Sequence, residues 1–119
     1  MQKPFSIAIH GGAGTILKED MTPELEKAYS AGLEEALEKG YAVLEQGGTS
    51  IDAVKAAITI LENNVLFNAG RGSVFTKKGV QEMDAAIMDG SNQMAGAVAG
   101  VRNVMNPIEL AFEVMTNSN

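Results

Sequence analysis

Two short segments combine residue types that could take part in catalysis or binding. The first is the run His10-Gly11-Gly12-Ala13-Gly14, which directly follows a short apolar segment. Glycines that follow a strand let backbone N–H groups approach a substrate closely and can form an oxyanion site. The second is the run around Asn68 and Arg71, whose amide and guanidinium groups could bind an amide or an anionic substrate.

Each segment also has a purely structural interpretation. The glycines after His10 could form only a tight turn, with His10 buried and hydrogen-bonded. Asn68 could make local turn hydrogen bonds, and Arg71 could be solvated. The glycine run is also similar to the HGGG-type oxyanion loop of esterases, but that assignment needs a GxSxG nucleophile elbow, which the sequence lacks.

Composition and spacing exclude several other classes of site. The chain has no cysteine, and His10 is its only histidine. By itself it therefore cannot form a Cys–His pair or a two-histidine zinc site. Neither glycine run completes a dinucleotide-binding fingerprint, because Leu17 and Phe75 stand where the third glycine belongs. The sequence contains no Walker lysine pattern, HExxH pair or EF-hand loop.

Charge and hydropathy indicate which partners to expect and where in the cell the protein acts. Fifteen acidic and nine basic side chains give the 119 residues a net charge of −6, and no Lys/Arg cluster is present, so no nucleic-acid partner is expected. No apolar run approaches the ~20 residues that cross a bilayer, and there is no signal-peptide pattern, which predicts a cytoplasmic protein without membrane contact. We expect one α+β domain over residues 1–119, without an internal boundary.

The elements that must position the two segments begin with a predicted buried strand over residues 5–10. Thr22 is a predicted N-cap with Pro23 at the first helical position, and a long amphipathic helix extends from there to Gly47-Gly48. Thr49 begins a second helix, and the two helices are predicted to form a hairpin on one face of a sheet. The predicted buried stripe of the long helix has an apolar residue at every fourth position: Leu25, Tyr29, Leu33, Leu37 and Tyr41.

Two antiparallel strands are predicted from Glu82 to Met88 and from Gln93 to Val101, joined by a turn at Asp89-Gly90. The second strand is small and apolar on both faces, which predicts a central strand with layers on both sides. Asn106-Pro107 starts a last helix. Its apolar residues are expected to need cover from a partner polypeptide: Phe112, Val114 and Met115. Methionines on apolar segments are predicted to fill the core: Met83, Met88, Met94, Met105 and Met115.

Six segments, in order along nearly the whole chain, resemble those of the plant-type L-asparaginase / isoaspartyl peptidase family of N-terminal-nucleophile hydrolases. They are residues 10–14, 66–76, 82–85, 87–90, 95–101 and 106–108, with the sequences HGGAG, LFNAGRGSVFT, EMDA, IMDG, AGAVAGV and NPI. The resemblance implies a four-layer αββα sandwich, of which this chain supplies one part. It also implies a precursor that cleaves itself into an α and a β subunit, which assemble as a heterotetramer, a dimer of αβ pairs.

The nucleophile of this family is a threonine exposed at the start of the β subunit. Its own α-amino group, with an ordinary pKa near ~8, can act as the adjacent base, which an internal threonine lacks. The resemblance implies that this chain is the N-terminal part of the α subunit, carries no catalytic residue and is inactive without the β chain. The implied reaction is hydrolysis of the side-chain amide of L-asparagine or of a β-aspartyl (isoaspartyl) peptide.

The resemblance also assigns supporting roles to named positions. Asn68 matches the asparagine that contacts and orients the threonine, and Gly11 and Gly12 match a loop near the nucleophile. The family's substrate-clamping arginine lies in the β subunit, so Arg71 does not receive that role. The chemistry implies no cofactor. A structural sodium ion is implied, bound by six main-chain carbonyl groups: those of Leu61, Glu62, Asn64, Phe67, Ala69 and Arg71.

Two alternatives stay open at the level of sequence. One is a noncatalytic α+β domain that serves as an interaction module. The other is a sibling enzyme of the same fold, such as glycosylasparaginase, although residues 82–90 resemble the asparaginase branch more closely.

Overall fold

The computed structural model describes residues 3–118, which contain three α-helices and one two-stranded antiparallel sheet. The helices are α1 (Pro23–Glu45), α2 (Ser50–Asn63) and α3 (Pro107–Asn117), and the strands are β1 (Met83–Met88) and β2 (Ala95–Val101). Short 3-10 turns lie at Lys18–Asp20 and Gly70–Gly72. The predicted α+β class is confirmed. Among the described residues, no helix combines the length and the apolar character that a membrane span requires.

The helix starts predicted from local sequence are confirmed. The Thr22 hydroxyl accepts a hydrogen bond from the Leu25 N–H at 3.1 Å, which satisfies one of the unpaired donors of the first turn of α1. Thr49 caps α2 in the same way by accepting from the Asp52 N–H at 3.1 Å. The Thr49 hydroxyl also donates to the Asp52 carboxylate at 2.8 Å. After α1 the chain turns at Gly47, whose φ of +83° favours glycine.

The buried stripe of α1 consists of small residues, so the predicted stripe of large ones is wrong in its second half. Gly32, Ala36 and Gly40 are buried, whereas Leu37 and Tyr41 are exposed. Each buried position comes one residue before a predicted one, so the buried face lies about 100° around the helix axis from the predicted stripe. The small residues let α2 approach closely: a Cβ at Gly40 would lie 3.0 Å from the carbonyl oxygen of Ala53.

The predicted hairpin of two antiparallel strands is confirmed. β1 pairs with β2 from Met88 opposite Ala95 back to Met83 opposite Val101. The register shifts between Met83 and Ala85, and there the Asp84 carboxylate accepts a hydrogen bond from the Gly100 N–H at 2.8 Å. The side chain of Asp84 therefore pairs with a backbone donor at the irregularity in the ladder.

One face of the β1–β2 hairpin is covered mainly by α3, and of the predicted α1–α2 helical hairpin only α2 contributes to that core. The core between α3 and the sheet includes Ile87, Ile108, Ala111 and Met115, and α2 contributes Ile51 to it. Met115 is only 5% exposed. The expectation that it needs cover from a partner is therefore wrong, because the neighbouring strand already covers it.

The opposite face of the sheet is bare among the described residues, so the second layer predicted for β2 is not supplied by this part of the protein and stays a prediction. Ala95, Ala97 and Ala99 of β2 are exposed. The prediction that all five methionines fill the core is wrong for three of them. Met88, Met94 and Met105 are 59%, 44% and 77% exposed, because nothing in the described chain packs over them.

Residues 5–10 are extended but form no strand, because no backbone segment of the described chain pairs with them. They nevertheless keep the two-residue alternation of a strand. Phe5, Ile7 and Ile9 are half-buried, while Ser6, Ala8 and His10 are exposed. Phe5 contacts Tyr41 of α1, with ring centroids 5.1 Å apart.

The closest contact between the sheet and α3 gives a stability prediction. A Cβ at Gly96 would lie 2.2 Å from the carbonyl oxygen of Ala111 and 2.5 Å from the backbone nitrogen of Met115. We expect Gly96→Ala to lower the free energy of unfolding by about 1–3 kcal/mol, because α3 must move off the strand. Urea denaturation measures this. The control is Gly90→Ala, where a Cβ would meet nothing within 4 Å; an equal loss in both variants would contradict the proposed packing.

Candidate functional site

Asn68 lies in the loop between α2 and β1, with its side chain fixed by one hydrogen bond. Its Oδ1 accepts from the Val74 N–H at 2.9 Å. This bond leaves the Nδ2 group, a donor of two hydrogens, free of any hydrogen-bond partner among residues 3–118. Asn68 is exposed, so an incoming hydroxyl or carbonyl oxygen can reach that donor.

The residue before Asn68 anchors the loop in the core. Phe67 is 6% exposed, and its ring meets Tyr29 of α1 edge-on with centroids 5.6 Å apart. Gly32 of α1 makes room for it, because a Cβ there would lie 2.9 Å from Phe67 Cε2. The backbone of Asn68 is thus fixed by the burial of its neighbour, whereas its own side chain stays at the surface.

The glycine run after His10 is held by the same apolar cluster as Phe67. Gly11 lies against Leu33, since a Cβ there would be 2.8 Å from Leu33 Cδ2. Leu33 and Ile9 pack against the cluster of Ala36, Leu61 and Phe67, which we call the loop-anchoring cluster. The structure therefore attaches the Gly11 segment and the Asn68 loop to one support.

The turn itself is closed by the histidine. The Gly12 N–H donates to Nδ1 of His10 at 3.2 Å, and Gly12 has a φ of +120°, which favours glycine. His10 is exposed, so the structural interpretation of a buried histidine is wrong. The supporting roles assigned to Gly11, Gly12 and Asn68 by the resemblance stay predictions.

The carbonyl groups assigned to a sodium ion lie in the last turn of α2 and in the loop after it. The carbonyl of Leu61 accepts from the Asn64 N–H at 3.3 Å, and that of Phe67 accepts from the Ala69 N–H at 2.8 Å. Each carbonyl oxygen has a second lone pair that such a bond leaves available. The described residues contain no group of three or more His, Cys, Asp or Glu side chains that could bind a metal.

Two glycines lie against the carbonyl oxygens of this loop. A Cβ at Gly72 would lie 2.2 Å from the Phe67 oxygen and 2.7 Å from the Val65 oxygen, and a Cβ at Gly70 would lie 2.5 Å from the Glu62 oxygen. Main-chain oxygens of this loop therefore lie close to Gly70 and Gly72, and one of them, that of Val65, is not in the predicted set. Such donors fit a hard cation, and the sodium assignment itself stays a prediction.

A buried carboxylate next to this loop was not predicted as a functional side chain. Glu62 is 3% exposed. Its Oε1 accepts from the Ile108 N–H at 2.9 Å, and its Oε2 accepts from Nδ2 of Asn106 at 3.0 Å. Burial raises the pKa of Glu62 above its ordinary value, and the hydrogen bonds from Asn106 and Ile108 oppose that shift. No local pattern signals this contact, because the partners are more than forty residues away.

Arg71 lies at the opposite end of the loop from Glu62. Its side chain is exposed and lines an open groove of about 660 Å³ together with Gln81, Arg102 and Asn103. Arg102 pairs with Glu82, which neutralises part of the positive charge there. The structure gives Arg71 no contact that would assign it a role in substrate binding.

Comparison with known proteins identifies the family. The sequence profile of a family described as "Asparaginase" matches residues 2–119. The chain belongs to this asparaginase family. It is 50% identical over 113 residues to an isoaspartyl peptidase/L-asparaginase of Xenopus laevis. The matched segment is 95% of this chain and 35% of that protein.

Two further members of the asparaginase family show a similar match. An isoaspartyl peptidase of Salmonella typhimurium is 47% identical over 112 residues, which is 94% of this chain and 36% of that protein. A plant-type L-asparaginase of Pyrococcus furiosus is 48% identical over 114 residues, which is 96% of this chain and 36% of that protein. The chain spans about a third of the length of these curated relatives.

The glycines of the loop allow a prediction that separates close packing from backbone strain. Gly70 and Gly79 both have a positive φ, of +51° and +74°, but a Cβ meets Glu62 only at Gly70. We expect Gly79→Ala to lower the free energy of unfolding by about 1 kcal/mol through strain alone. Gly70→Ala adds the steric conflict and is expected to cost about 1–3 kcal/mol more. Chemical denaturation of both variants measures the difference, and equal losses would show that Gly70 does not pack on Glu62.

Proposed function

We propose that this chain is the N-terminal, α-subunit part of a hydrolase that cleaves the side-chain amide of L-asparagine and β-aspartyl peptides. The nucleophile is an N-terminal threonine on a separate β chain of the same precursor. The observation that carries the proposal is the sequence identity of about one half along nearly the entire chain with relatives named as isoaspartyl peptidases and L-asparaginases. The chain then contributes positioning groups and no nucleophile.

Asn68 is the contact between this chain and the reacting threonine. With Oδ1 engaged by the Val74 N–H, the side chain cannot rotate freely, and its Nδ2 group has no partner among the described residues. A donor held in this way can bind the threonine hydroxyl oxygen and orient its proton toward the α-amino base, so that an oxygen lone pair faces the substrate carbonyl. Attack on the substrate carbonyl gives an acyl-enzyme and releases ammonia or an amino acid, and water then releases aspartate.

The β chain occupies the surfaces that the described residues leave uncovered. Residues 5–10 alternate as a strand does but lack a partner strand, and the exposed alanines of β2 form a flat apolar face. The remainder of the precursor pairs with residues 5–10 and covers the exposed face of β2, which gives the four-layer αββα sandwich and the dimer of αβ pairs. Burial of the exposed Met88 in that assembly removes an apolar side chain from water.

A structural sodium ion in the loop of residues 61–71 fixes the backbone on either side of Asn68. Its ligands are the main-chain carbonyls of Leu61, Glu62, Asn64, Phe67, Ala69 and Arg71. The carbonyl oxygens of Glu62 and Phe67, which lie against Gly70 and Gly72, support this proposal. The ion takes no part in bond breaking.

A chimeric precursor tests the catalytic role of Asn68. This chain replaces the matching third of the Xenopus laevis relative, and the release of ammonia from L-asparagine and of aspartate from a β-aspartyl dipeptide is followed. Asn68→Ala is expected to lower kcat/KM by about 10²-fold, because the threonine loses its orienting donor.

The matched control for this experiment is Asn92→Ala. Asn92 is also exposed, and its Oδ1 also accepts a backbone N–H, that of Met94, at 2.9 Å. We expect Asn92→Ala to retain activity. Equal activity of the two variants would exclude the proposed role of Asn68. A processed chimera that hydrolyses neither substrate would favour a sibling chemistry such as glycosylasparaginase, and one that neither processes nor assembles would favour a noncatalytic module.

The sodium proposal gives a separate stability prediction. A cation that binds only the folded loop raises the free energy of unfolding in proportion to the logarithm of its concentration above Kd. Unfolding in NaCl is therefore expected to need more urea than in tetramethylammonium chloride at equal ionic strength. Gly72→Ala, whose Cβ would meet the Phe67 oxygen, should abolish this difference, and Gly90→Ala should keep it. Equal midpoints in the two salts would contradict a sodium site.

A further inference from the structure

We propose that the side chain of Glu62 is a positioning residue that couples the Asn68 loop to the start of α3. Glu62 lies between these two parts of the chain: its carboxylate accepts hydrogen bonds from the start of α3, and its backbone and Cβ pack against the loop. The inference rests on the proposed function, because it gives the loop conformation a consequence for the threonine that Asn68 orients.

The contact with α3 replaces the ordinary cap of that helix. Asn106 occupies the N-cap position but makes no side-chain hydrogen bond to its own helix, and Pro107 has no N–H. The first donor of α3 is therefore the Ile108 N–H, and it donates to Oε1 of Glu62 at 2.9 Å. Because Ile108 is only 3% exposed, solvent offers this donor little alternative.

The second carboxylate oxygen joins the same two segments. Oε2 of Glu62 accepts from Nδ2 of Asn106 at 3.0 Å, and the same Nδ2 donates to Oδ1 of Asn63 at 3.0 Å. Three hydrogen bonds thus link the end of α2 to the start of α3: two are accepted by the Glu62 carboxylate and one by Oδ1 of Asn63. Charge-assisted bonds of a buried carboxylate are among the stronger ones in proteins.

The contact with the loop is steric. The backbone of Gly70 lies against Glu62 so closely that a Cβ at Gly70 would be 2.5 Å from the Glu62 carbonyl oxygen and 2.7 Å from its Cβ. Gly70 is only two residues after Asn68. A displacement of Glu62 therefore moves Gly70, and with it the segment that places Asn68 opposite the Val74 N–H. Glu62 thus acts on the loop through the packing of its backbone and Cβ, and on α3 through the hydrogen bonds of its carboxylate.

Amide hydrogen exchange measured by NMR on the assembled chimeric protein tests the coupling. The Val74 N–H reports the Asn68 contact, the Ile108 N–H reports the cap of α3, and the amide of Ala36 in α1 reports global opening. Glu62→Gln places an NH₂ group against the Asn106 donor. It is expected to speed exchange at Ile108 and Val74 by about tenfold or more, with Ala36 unchanged.

The matched control is Glu109→Gln, which removes an acidic group from α3 whose side chain is half-exposed and pairs with Lys55. It should leave Val74 unchanged. In the double variant Glu62→Gln/Asn106→Asp, the new amide at position 62 donates and the new carboxylate at position 106 accepts. This variant is expected to return Val74 exchange to within about threefold of the parent. Asn106→Ala gives the same comparison if the Glu62→Gln variant does not fold.

Three results would overturn the proposal. In Glu62→Gln, exchange could become faster at Ile108 but stay unchanged at Val74, or it could become equally faster at Ala36. In the double variant, exchange at Val74 could stay as fast as in Glu62→Gln. The readout is independent of turnover. An inactive chimera with selective loss of Val74 protection would refute the proposed function and leave the coupling by Glu62 in place.

Discussion

The carboxyl end of helix α2 is the point where three parts of the chain meet. Leu61 turns into the loop-anchoring cluster with Ala36 of α1 and Phe67 of the loop. The next residue, Glu62, turns to the other side and caps α3. A helix end leaves its last carbonyl groups without partners. The same turn therefore supplies apolar anchorage for the Asn68 loop and a buried cap for α3.

Small residues make this junction compact. Gly32 and Gly40 let α1 approach the loop and α2, and Gly70 and Gly72 let the loop fold back on its own carbonyl oxygens. Close approach of this kind excludes water and restricts the backbone, so Asn68 is held at the surface by neighbours that are buried. The exposed side chain thus gains a defined orientation although its own contacts number only one hydrogen bond, that from Val74.

Features that depend on neighbouring residues were predictable from sequence. The caps at Thr22 and Thr49 and the turn at Asp89-Gly90 follow from local hydrogen bonding and turn chemistry. Residues 5–10 show the opposite case, because a strand is defined by a partner that local sequence does not supply. The apolar pattern of that segment predicted a strand, and its alternating burial agrees, but pairing is absent among the described residues.

The candidate site was predictable only in part. Asn68 was identified through resemblance to a family, whereas its fixed orientation depends on a bond from Val74 that no sequence pattern indicated. The role of the Glu62 side chain was missed because its partners lie 44 and 46 residues further along the chain. The exposed Met88 and Met94 were assigned to a core because an apolar residue on a strand gives no sign of whether the covering layer belongs to the same segment.

The central claim is that this chain supplies the positioning half of a two-chain threonine hydrolase. Intact-mass analysis of the native complex, purified under nondenaturing conditions, tests it most directly. We expect a second polypeptide whose first residue is threonine, present in equal amount in a complex of two αβ pairs. A stable monomer of this chain alone, with no threonine-initiated partner, would contradict it.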